Sequence, residues 1–466
     1  MASSWANSAA STGSDLHLDL SAPGSRRSAL TAALREAIRS GRLPSGAKLP
    51  PYRSLAADLG LARNTVAAAY SELIAEGWLT ARQGSGTRVA RRAEPPRRTS
   101  RPARPPKHPA PVHDLRQGQP ESSSFPRTAW AASARRSLHT APNEAFGPGD
   151  PHGRPELRRA LADYLARVRG VRAEPERIVI CSGFAHGLEL LFNGVLRGPV
   201  AVESYGLPFH RRLLTDAGVR TVPLTLDEHG ARTDELDSRV RAALLTPAHQ
   251  FPTGGPLHAE RRAAAVDWAR TTGGLLLEDD YDGEFRYDRE PVGAVQGLDP
   301  DRVVYLGSVS KSLSPAVRIG WMVLPEHLVE EVLAVKGTRE RWASVLDQLA
   351  LADFIESGHY DRHVRRMRQR YRRRRDQLLA VLAEHAPHVT ASGIAAGLHA
   401  VLRLPAGTEQ ATTEAAARLG IAVEGLAHFR HPDASMPAAD GLVVGYPAPP
   451  EHGYAAALNA LVTALL

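Results

Sequence analysis

The sequence has a single cysteine, Cys181, which excludes an internal disulfide. Cysteine-poor sequences are typical of proteins that work in a reducing cytoplasm. The sequence also lacks any apolar run long enough to span a membrane. Its Ser- and Ala-rich N-terminus has neither the basic nor the apolar stretch of a secretory signal. We therefore expect a cytoplasmic protein with no membrane partner.

Lysine is scarce, since it occurs only at positions 48, 107, 311 and 336 among 58 Lys and Arg residues. Lys311 lies in the hydroxyl-rich string GSVSKSLSPAVRIGW, directly after an apolar run that predicts a buried strand. Lysine can lose its proton and attack a carbonyl group, whereas arginine cannot. Lys311 is therefore either a surface-loop residue or a Schiff-base lysine for pyridoxal 5'-phosphate. In the second case the phosphate ligands are Ser308, Ser310 and Arg318.

Length and composition indicate more than one globular domain. The chain has 466 residues, of which 43% are hydrophobic, enough for large cores. The net charge of +8 is compatible with a polyanionic partner, but an arginine-rich composition alone also produces it.

Residues 25–90 have the pattern of a small DNA-binding domain. Apolar spacing predicts three helices, which begin near Ser28, Arg53 and Asn64. Two short strands follow, separated by a glycine-rich turn. This order indicates a winged helix-turn-helix, whose third helix enters the major groove of double-stranded DNA. A small helical domain that binds another protein is the alternative. The expected DNA contacts are Arg53, Arg63, Asn64, Thr65, Gly84 and Ser85.

The remaining boundaries follow from changes in composition. We expect a flexible N-terminus over 1–24, a Pro- and Arg-rich linker over 91–112, and an effector domain over 113–466. A smaller C-terminal subdomain is expected from about residue 340. The linker's positive charges either contact DNA phosphates or simply keep the linker solvated.

Beyond the linker, short apolar runs alternate with helical patterns. This alternation predicts a mostly parallel sheet with helices on both faces. In such sheets ligands bind beyond the carboxyl ends of the strands. The predicted strands are Ile178–Cys181, Val200–Glu203, Ala242–Leu245, Leu275–Glu278 and Val303–Leu306.

Candidate ligand-binding residues follow these strands. Asp279 would keep a pyridine nitrogen protonated, and Tyr281 would hydrogen-bond the phenolic oxygen of the same cofactor. An acidic loop is the alternative, and no residue spacing indicates a metal site. His249 either faces the cofactor or packs in the core. A strand-to-helix junction suited to phosphate contains Gly183, Phe184 and Ala185.

These motifs resemble two known families. The string SGRLPSGAKLPPYRSLAADLGLARNTVAAAYSELIAEGWLTARQGSGTRVA resembles the GntR family of bacterial regulators. From about residue 115, the strings GDPHGRPELRRALADYLARVRGV and EDDYDGEFRY, the Pro-Thr-Gly loop and the Lys311 loop resemble fold-type I pyridoxal-phosphate aminotransferases. The combination resembles the MocR subfamily of GntR-family regulators. The resemblance implies an α+β winged helix, then an α/β large domain with a smaller α+β C-terminal domain. It also implies a head-to-tail homodimer with cofactor sites near the subunit interface.

The sequence departs from the aminotransferase pattern at three places. Phe251 stands where the family has an asparagine, and Leu207 stands where many members stack an aromatic ring on the cofactor. Val443 stands at the position of the arginine that binds the substrate carboxylate, and Arg430 is the nearby candidate replacement. These departures suggest a retained cofactor site with weakened turnover.

The resemblance implies a DNA-binding transcriptional regulator that senses pyridoxal phosphate. Either the cofactor itself is the signal, with control of vitamin B6 synthesis, or an amine or amino acid joins the cofactor. The departures favour the first version. A working aminotransferase with a tethered DNA-binding domain and a structural DNA-binding protein remain alternatives. The basic run Arg362–Arg375 is either a second DNA-contacting surface or a solvated helix face.

Overall fold

The structure is a computed structural model, and it describes residues 18, 20, 24–82, 86–91, 111–147, 149–287, 292–338 and 343–466. The chain divides into two compact units, residues 1–108 and 109–466. Most of the expected flexible N-terminus, nearly all of the linker, and the wing residues Gly84 and Ser85 lie outside the described residues.

The first unit has the predicted order of three helices and a hairpin. Ser25 caps the first helix, because its side-chain oxygen accepts from the backbone N–H of Ser28 at 3.2 Å. Leu30, Leu34 and Val66 form a fully buried core between the first and third helices. The elements are α1 Arg26–Arg39, α2 Tyr52–Leu59, α3 Arg63–Ala75, β1 Leu79–Arg82 and β2 Gly86–Val89.

The second unit combines a large sheet, flanking helices and a smaller sheet. Its helices are α4 Arg127–Thr140, α5 Pro155–Arg169, α6 Phe184–Leu190, α7 Pro208–Asp216, α8 Ala259–Thr272, α9 Glu326–Thr338, α10 Val345–Glu356, α11 His359–His385, α12 Glu409–Arg418 and α13 Tyr454–Leu465. Its strands are β3 His113–Asp114, β4 Ile178–Cys181, β5 Val200–Glu203, β6 Thr221–Leu224, β7 Leu226–Asp227, β8 Gly230–Ala231, β9 Ala242–Leu245, β10 Leu275–Asp279, β11 Val303–Ser308, β12 Gly320–Val323, β13 Thr390–Ser392, β14 His399–Arg403, β15 Ile421–Ala422, β16 Glu424–Gly425 and β17 Gly441–Gly445.

The large sheet has seven strands in the order β4-β12-β11-β10-β9-β5-β6. All of its pairings are parallel except those of β12, which runs antiparallel to both neighbours. Fully buried strands such as β4 and β9 read as continuous apolar runs because helices cover both faces of the sheet. The predicted mostly parallel sheet is confirmed, and β6 and β12 are additions to it.

The C-terminal part of the second unit contains a four-stranded antiparallel sheet in the order β13-β14-β17-β16. The long helix α11 and the last helix α13 cover it, through buried residues such as Tyr371, Leu378 and Leu458. The short strand β3, which follows the linker in sequence, pairs with β15. Within the described residues, no helix is both long and apolar enough to cross a membrane.

Candidate functional site

A cavity of about 200 Å³ lies at the carboxyl ends of β5, β9, β10 and β11 in the second unit. This is the sheet edge at which the alternating pattern predicted a ligand. The cavity brings together residues that are far apart in the sequence. The predicted site residues that line it are Gly183, Phe184, Ala185, Leu207, Asp279, Tyr281, Ser308, Ser310, Lys311 and Arg318.

Lys311 lies in the loop after β11, and its amine faces the cavity. Its Nζ donates a hydrogen bond of 2.6 Å to the backbone carbonyl of Gly118. Burial lowers the pKa of Lys311, and the nearby carboxyl groups of Asp279 and Asp282 partly oppose this shift. A lowered pKa increases the fraction of neutral amine, which is the form that attacks a carbonyl carbon.

The acidic residues after β10 face different environments. Asp279 lines the cavity, and burial together with the charges of Asp280 and Asp282 raises its pKa well above the ordinary value. Asp280 pairs with Arg169, whose Nε donates to it at 2.6 Å, and also accepts from the hydroxyl of Tyr305. A cation inside the cavity would therefore stabilise the charged form of Asp279, whereas the charge of Asp280 is already balanced by Arg169.

Tyr281 lines the cavity, but His249 lies behind it. The Nδ1 atom of His249 is 2.9 Å from the Tyr281 hydroxyl and 2.8 Å from a carboxylate oxygen of Asp282. His249 is 3% exposed and is absent from the cavity wall. These contacts agree with the predicted alternative in which His249 packs beside the site, where it contacts the hydroxyl of Tyr281, and a direct contact between His249 and a cofactor stays a prediction.

Ser308, Ser310 and Arg318 also line the cavity. Arg318 has φ = 55°, the only positive φ outside glycine among the described residues. Such backbone strain concentrates at functional positions. A Cβ at Gly320 would be 2.7 Å from the Cα of Gly183, so only glycine allows β12 to approach the junction after β4. This close approach brings Arg318 to the same cavity as Gly183.

Several cavity residues were missed by the sequence reasoning. They are Gln117, Glu203, Tyr205, His210 and Arg211. Burial and the nearby cations Lys311 and Arg211 lower the pKa of His210 to about 3, so the imidazole is neutral. Its ring centroid is 4.4 Å from that of Phe184. The end of β5 was the available signal for Glu203 and Tyr205, whereas Gln117 follows no strand of the large sheet.

The predicted carboxylate-binding role of Arg430 is not supported. Its guanidinium donates to the carbonyls of Ala434 and Met436, both at 2.7 Å, and it does not line the cavity. Val443 lies on β17 with no exposed surface and packs in the apolar cluster that includes Phe251. Arg211, like Arg318, lines the cavity, and it donates to the carbonyl of Gly206 at 2.7 Å.

In the first unit, the predicted DNA contacts lie at the start of α2 and α3. Arg53, Arg63 and Asn64 are exposed, and Thr65 is half-buried. No ion pair joins Arg53 or Arg63 to an acidic residue among those the structure describes. Arg35 on α1, by contrast, binds Glu76 at 2.7 Å. The guanidinium groups at the helix starts therefore keep their charge available for a phosphate or a base edge.

Comparison with known proteins matches each unit to a family. Residues 26–89 match the profile of bacterial regulatory proteins of the gntR family, and residues 110–433 match that of aminotransferase class I and II. The kynurenine aminotransferase of Pyrococcus horikoshii has the same fold, with a TM-score of 0.69, 24% identity, and coverage of 76% of this chain and 91% of that one.

Two relatives share both units. The HTH-type pyridoxine biosynthesis transcriptional regulator PdxR of Corynebacterium glutamicum is 34% identical over 415 residues, covering 87% of this chain and 89% of its own. The probable rhizopine catabolism regulatory protein MocR of Rhizobium meliloti is 33% identical over 438 residues, covering 89% and 88%.

A gntR-type winged helix joined to a unit with the aminotransferase class I and II fold defines a class of two-domain DNA-binding transcriptional regulators. The identity to full-length regulators of this class extends over most of the chain. The chain belongs to the MocR subfamily of the GntR family of transcriptional regulators.

Proposed function

We propose that this regulator binds pyridoxal 5'-phosphate in the cavity around Lys311, and that binding changes its affinity for operator DNA. One observation carries the proposal, namely that Lys311, Asp279 and Arg318 line one cavity although they come from different loops. An amine, a buried carboxylate and a guanidinium are the groups that an aldehyde, a pyridine nitrogen and a phosphate require.

Each residue has a role that its position in the cavity permits. Lys311 would attach to the aldehyde, Asp279 would bind the pyridine nitrogen, and Tyr281 would donate to the phenolic oxygen. The cofactor, when bound, supplies an electron sink at this site. The phosphate ligands would be Ser308, Ser310, Arg318 and the segment Gly183–Ala185. We also propose that Leu207 covers one face of the ring.

The positions of Val443 and Arg430 favour sensing over steady turnover. Val443 is fully buried in an apolar cluster, and the guanidinium of Arg430 is occupied by backbone carbonyls. An amino-acid carboxylate therefore has no free guanidinium fork from either residue. The printed name of the Corynebacterium glutamicum relative refers to pyridoxine biosynthesis, which supports control of vitamin B6 synthesis as the pathway.

We further propose that the regulator is a homodimer divided at the sequence-derived boundaries 25–90, 91–112 and 113–466. The two family matches, over 26–89 and 110–433, support this division. A two-fold dimer presents two winged helices, which suits an operator with two half-sites.

Operator binding tests the proposal. Fluorescence anisotropy would be measured on the promoters of the regulator's own gene and of B6 synthesis genes, with and without pyridoxal phosphate, for wild type and Lys311→Ala. We expect the cofactor to change wild-type affinity about 5- to 150-fold, which is the usual range of coupling between sites. The affinity of the Lys311→Ala variant should not respond.

Pyridoxine phosphate, which has an alcohol in place of the aldehyde, is the matched ligand control and should leave wild-type affinity unchanged. Equal affinity in all four protein and cofactor combinations would show that cofactor sensing is wrong.

A working aminotransferase is the second candidate, because Lys311, Asp279 and Arg318 line one cavity and the second unit matches aminotransferase class I and II. Multiple turnovers with an amino acid and a keto acid would favour it. A single half-reaction at most would favour the sensor.

A further inference from the structure

Residues 111–121 form a strap that begins where the linker ends in the sequence. Its first part is fixed to the C-terminal subdomain by backbone hydrogen bonds. The N–H groups of Val112 and Leu115 donate to the carbonyls of Gly420 and Ala422 at 2.9 and 2.8 Å. The carbonyl of Leu115 accepts from Gly445 at 2.7 Å. The strap therefore extends the smaller sheet region of the second unit.

The middle of the strap crosses the cofactor cavity. Gln117 lines the cavity, and the buried carbonyl of Gly118 accepts the 2.6 Å hydrogen bond from Lys311. Gly118 has φ = +78°, and a Cβ there would be 2.8 Å from the Lys311 nitrogen. The strap thus reaches Lys311 through a position that only glycine fits, and its carbonyl binds the nitrogen that would attach to the cofactor.

The far end of the strap is anchored by charge. Glu121 is 5% exposed and accepts ion pairs from Arg370 and Arg374 of α11, at 2.7 and 3.3 Å. The strap is therefore held at both ends, and between them Gly118 is bound to Lys311.

We propose that the strap reports the state of Lys311 to the linker, and through the linker to the DNA-binding unit. This inference rests on the proposed function, and it names the element that carries the regulation. When the neutral Lys311 amine condenses with an aldehyde, a C=N bond forms, and the aldehyde oxygen leaves as water with the two amine hydrogens. The nitrogen of the C=N bond then carries no hydrogen, unless it takes up a proton and so has one N–H.

Condensation therefore leaves the nitrogen with one N–H at most, and the Gly118 carbonyl loses its donor whenever that proton is absent or bonds the cofactor instead. A buried carbonyl without a donor is unfavourable, so the Gly118 segment must move to find another partner or water. Residues 111 and 112 are the last two residues of the linker, so a shift at Gly118 that loosens the hydrogen bonds of Val112 and Leu115 would change where the linker leaves the second unit. The regulator would thus have two states. Without the cofactor the strap is ordered by its hydrogen bond to Lys311, and with the cofactor bound the strap is released.

Two substitutions at Lys311 separate the hydrogen bond from the covalent bond. Lys311→Met removes both the donor and the nucleophile, whereas Lys311→Arg keeps a donor for Gly118 but cannot condense with an aldehyde. Hydrogen exchange of the amides in residues 111–121 is the direct readout, and the holoprotein is prepared with pyridoxal phosphate.

We expect slow exchange in cofactor-free wild type and about tenfold faster exchange when the cofactor is bound. Lys311→Met should exchange fast, and Lys311→Arg slowly, whether or not the cofactor is present. In operator binding, cofactor-free Lys311→Met should match cofactor-loaded wild type, and Lys311→Arg should match cofactor-free wild type. Lys311→Ala repeats the first prediction if Lys311→Met does not fold.

The measurements distinguish failure of the strap proposal from failure of the proposed function. If absorbance shows that wild type takes up the cofactor, but Lys311→Met and Lys311→Arg exchange alike in the strap, the strap proposal is overturned and sensing stands. If wild type takes up no cofactor but the two variants still differ in exchange, the proposed function fails, and the lysine nevertheless controls the strap.

Discussion

Two buried carboxyl groups, Asp279 and Glu203, end strands β10 and β5 at the same cavity. Neither has an ion-pair partner among the described residues. Burial raises the pKa of both groups, and that of Glu203 reaches about 7. In the proposed function a pyridine nitrogen would pair with Asp279, whereas Glu203 accepts hydrogen bonds from Thr246 and Gln250, at 2.5 and 3.2 Å, without a cation among the described residues. The charge of Glu203 is thus a cost to folding at neutral pH.

Replacing Glu203 by Gln should stabilise the protein at high pH. Because the pKa of Glu203 is raised in the folded state from 4.5 to about 7, the folded protein binds more protons than the unfolded chain between these values. Its contribution to stability therefore falls as pH rises through this window. Above pH 7 the variant should be more stable by about 1–3 kcal/mol, and below pH 4 the two should be equal.

Thermal unfolding at pH 4, 6 and 8 measures this difference. Glu278 and Glu284 also have pKa values raised to about 7, but they are unchanged in the variant, so the difference between the two proteins isolates Glu203. A gap that is the same at all three pH values would mean that Glu203 is ionised without penalty.

At the scale of elements, the packing of helix α3 suits its proposed role in contacting DNA. Val66, Ala69 and Leu73 are fully buried at helical spacing, which leaves the first turn of the helix facing outward. Ala62, the residue before the helix, makes no side-chain cap, and its carbonyl accepts from the N–H of Thr65 at 3.0 Å. The proposed DNA contacts and the helix packing thus use opposite sides of one element.

Arg63→Ala and Asn64→Ala should each weaken operator binding by about 1–3 kcal/mol if they contact base edges. A phosphate contact by Arg63 would instead weaken binding to all sequences and reduce the salt dependence by about one charge. Anisotropy on operator and scrambled duplexes at several salt concentrations distinguishes these roles.

Arg35→Ala is the matched control, because Arg35 is an arginine of the same unit that is already paired with Glu76. Its loss should leave operator affinity unchanged. A loss of affinity as large as that of Arg63→Ala would argue against α3 as the recognition helix.

The sequence predicted elements better than it predicted contacts between distant segments. Apolar runs placed five strands of the large sheet to within two residues, because buried strands are continuous apolar runs. Strand β12, with the string GWMV, was missed although it is as long and as buried as β4. Its antiparallel direction depends on the intervening loop turning back, which no local propensity encodes.

At the candidate site, too, contacts between distant segments could not be predicted from the sequence. Residues that follow strands, such as Asp279 and Lys311, were predicted because parallel strands end at a common edge. Gly118 was not, because its bond to Lys311 spans 193 residues of sequence and depends on how β3 pairs with β15. The roles of His249 and Arg430 also could not be read from the sequence, because a polar residue near a site can form its hydrogen bonds with neighbouring backbone or carboxylate groups, as these two do.

At the scale of the whole molecule, the positive charge is unevenly distributed. Residues 1–108 contain 17 Lys and Arg against 7 Asp and Glu, whereas residues 109–466 contain 41 against 43. The excess positive charge of the chain therefore lies in the DNA-binding unit and the linker. Electrostatic attraction to DNA acts through that end of the chain. Residues 109–466 are nearly neutral overall, so their net charge adds little to this attraction.

Calorimetry should show this division directly. The units have separate cores, so we expect two unfolding transitions, with the greater enthalpy for the larger unit because unfolding enthalpy scales with size. A ligand that binds only the folded second unit stabilises it by about 2.7 kcal/mol at a hundred times its Kd. Pyridoxal phosphate should therefore raise the midpoint of the larger transition and leave the smaller one in place, and Lys311→Ala should reduce the rise. A shift of both transitions would mean that the units unfold together, in which case the linker transmits stability as well as position.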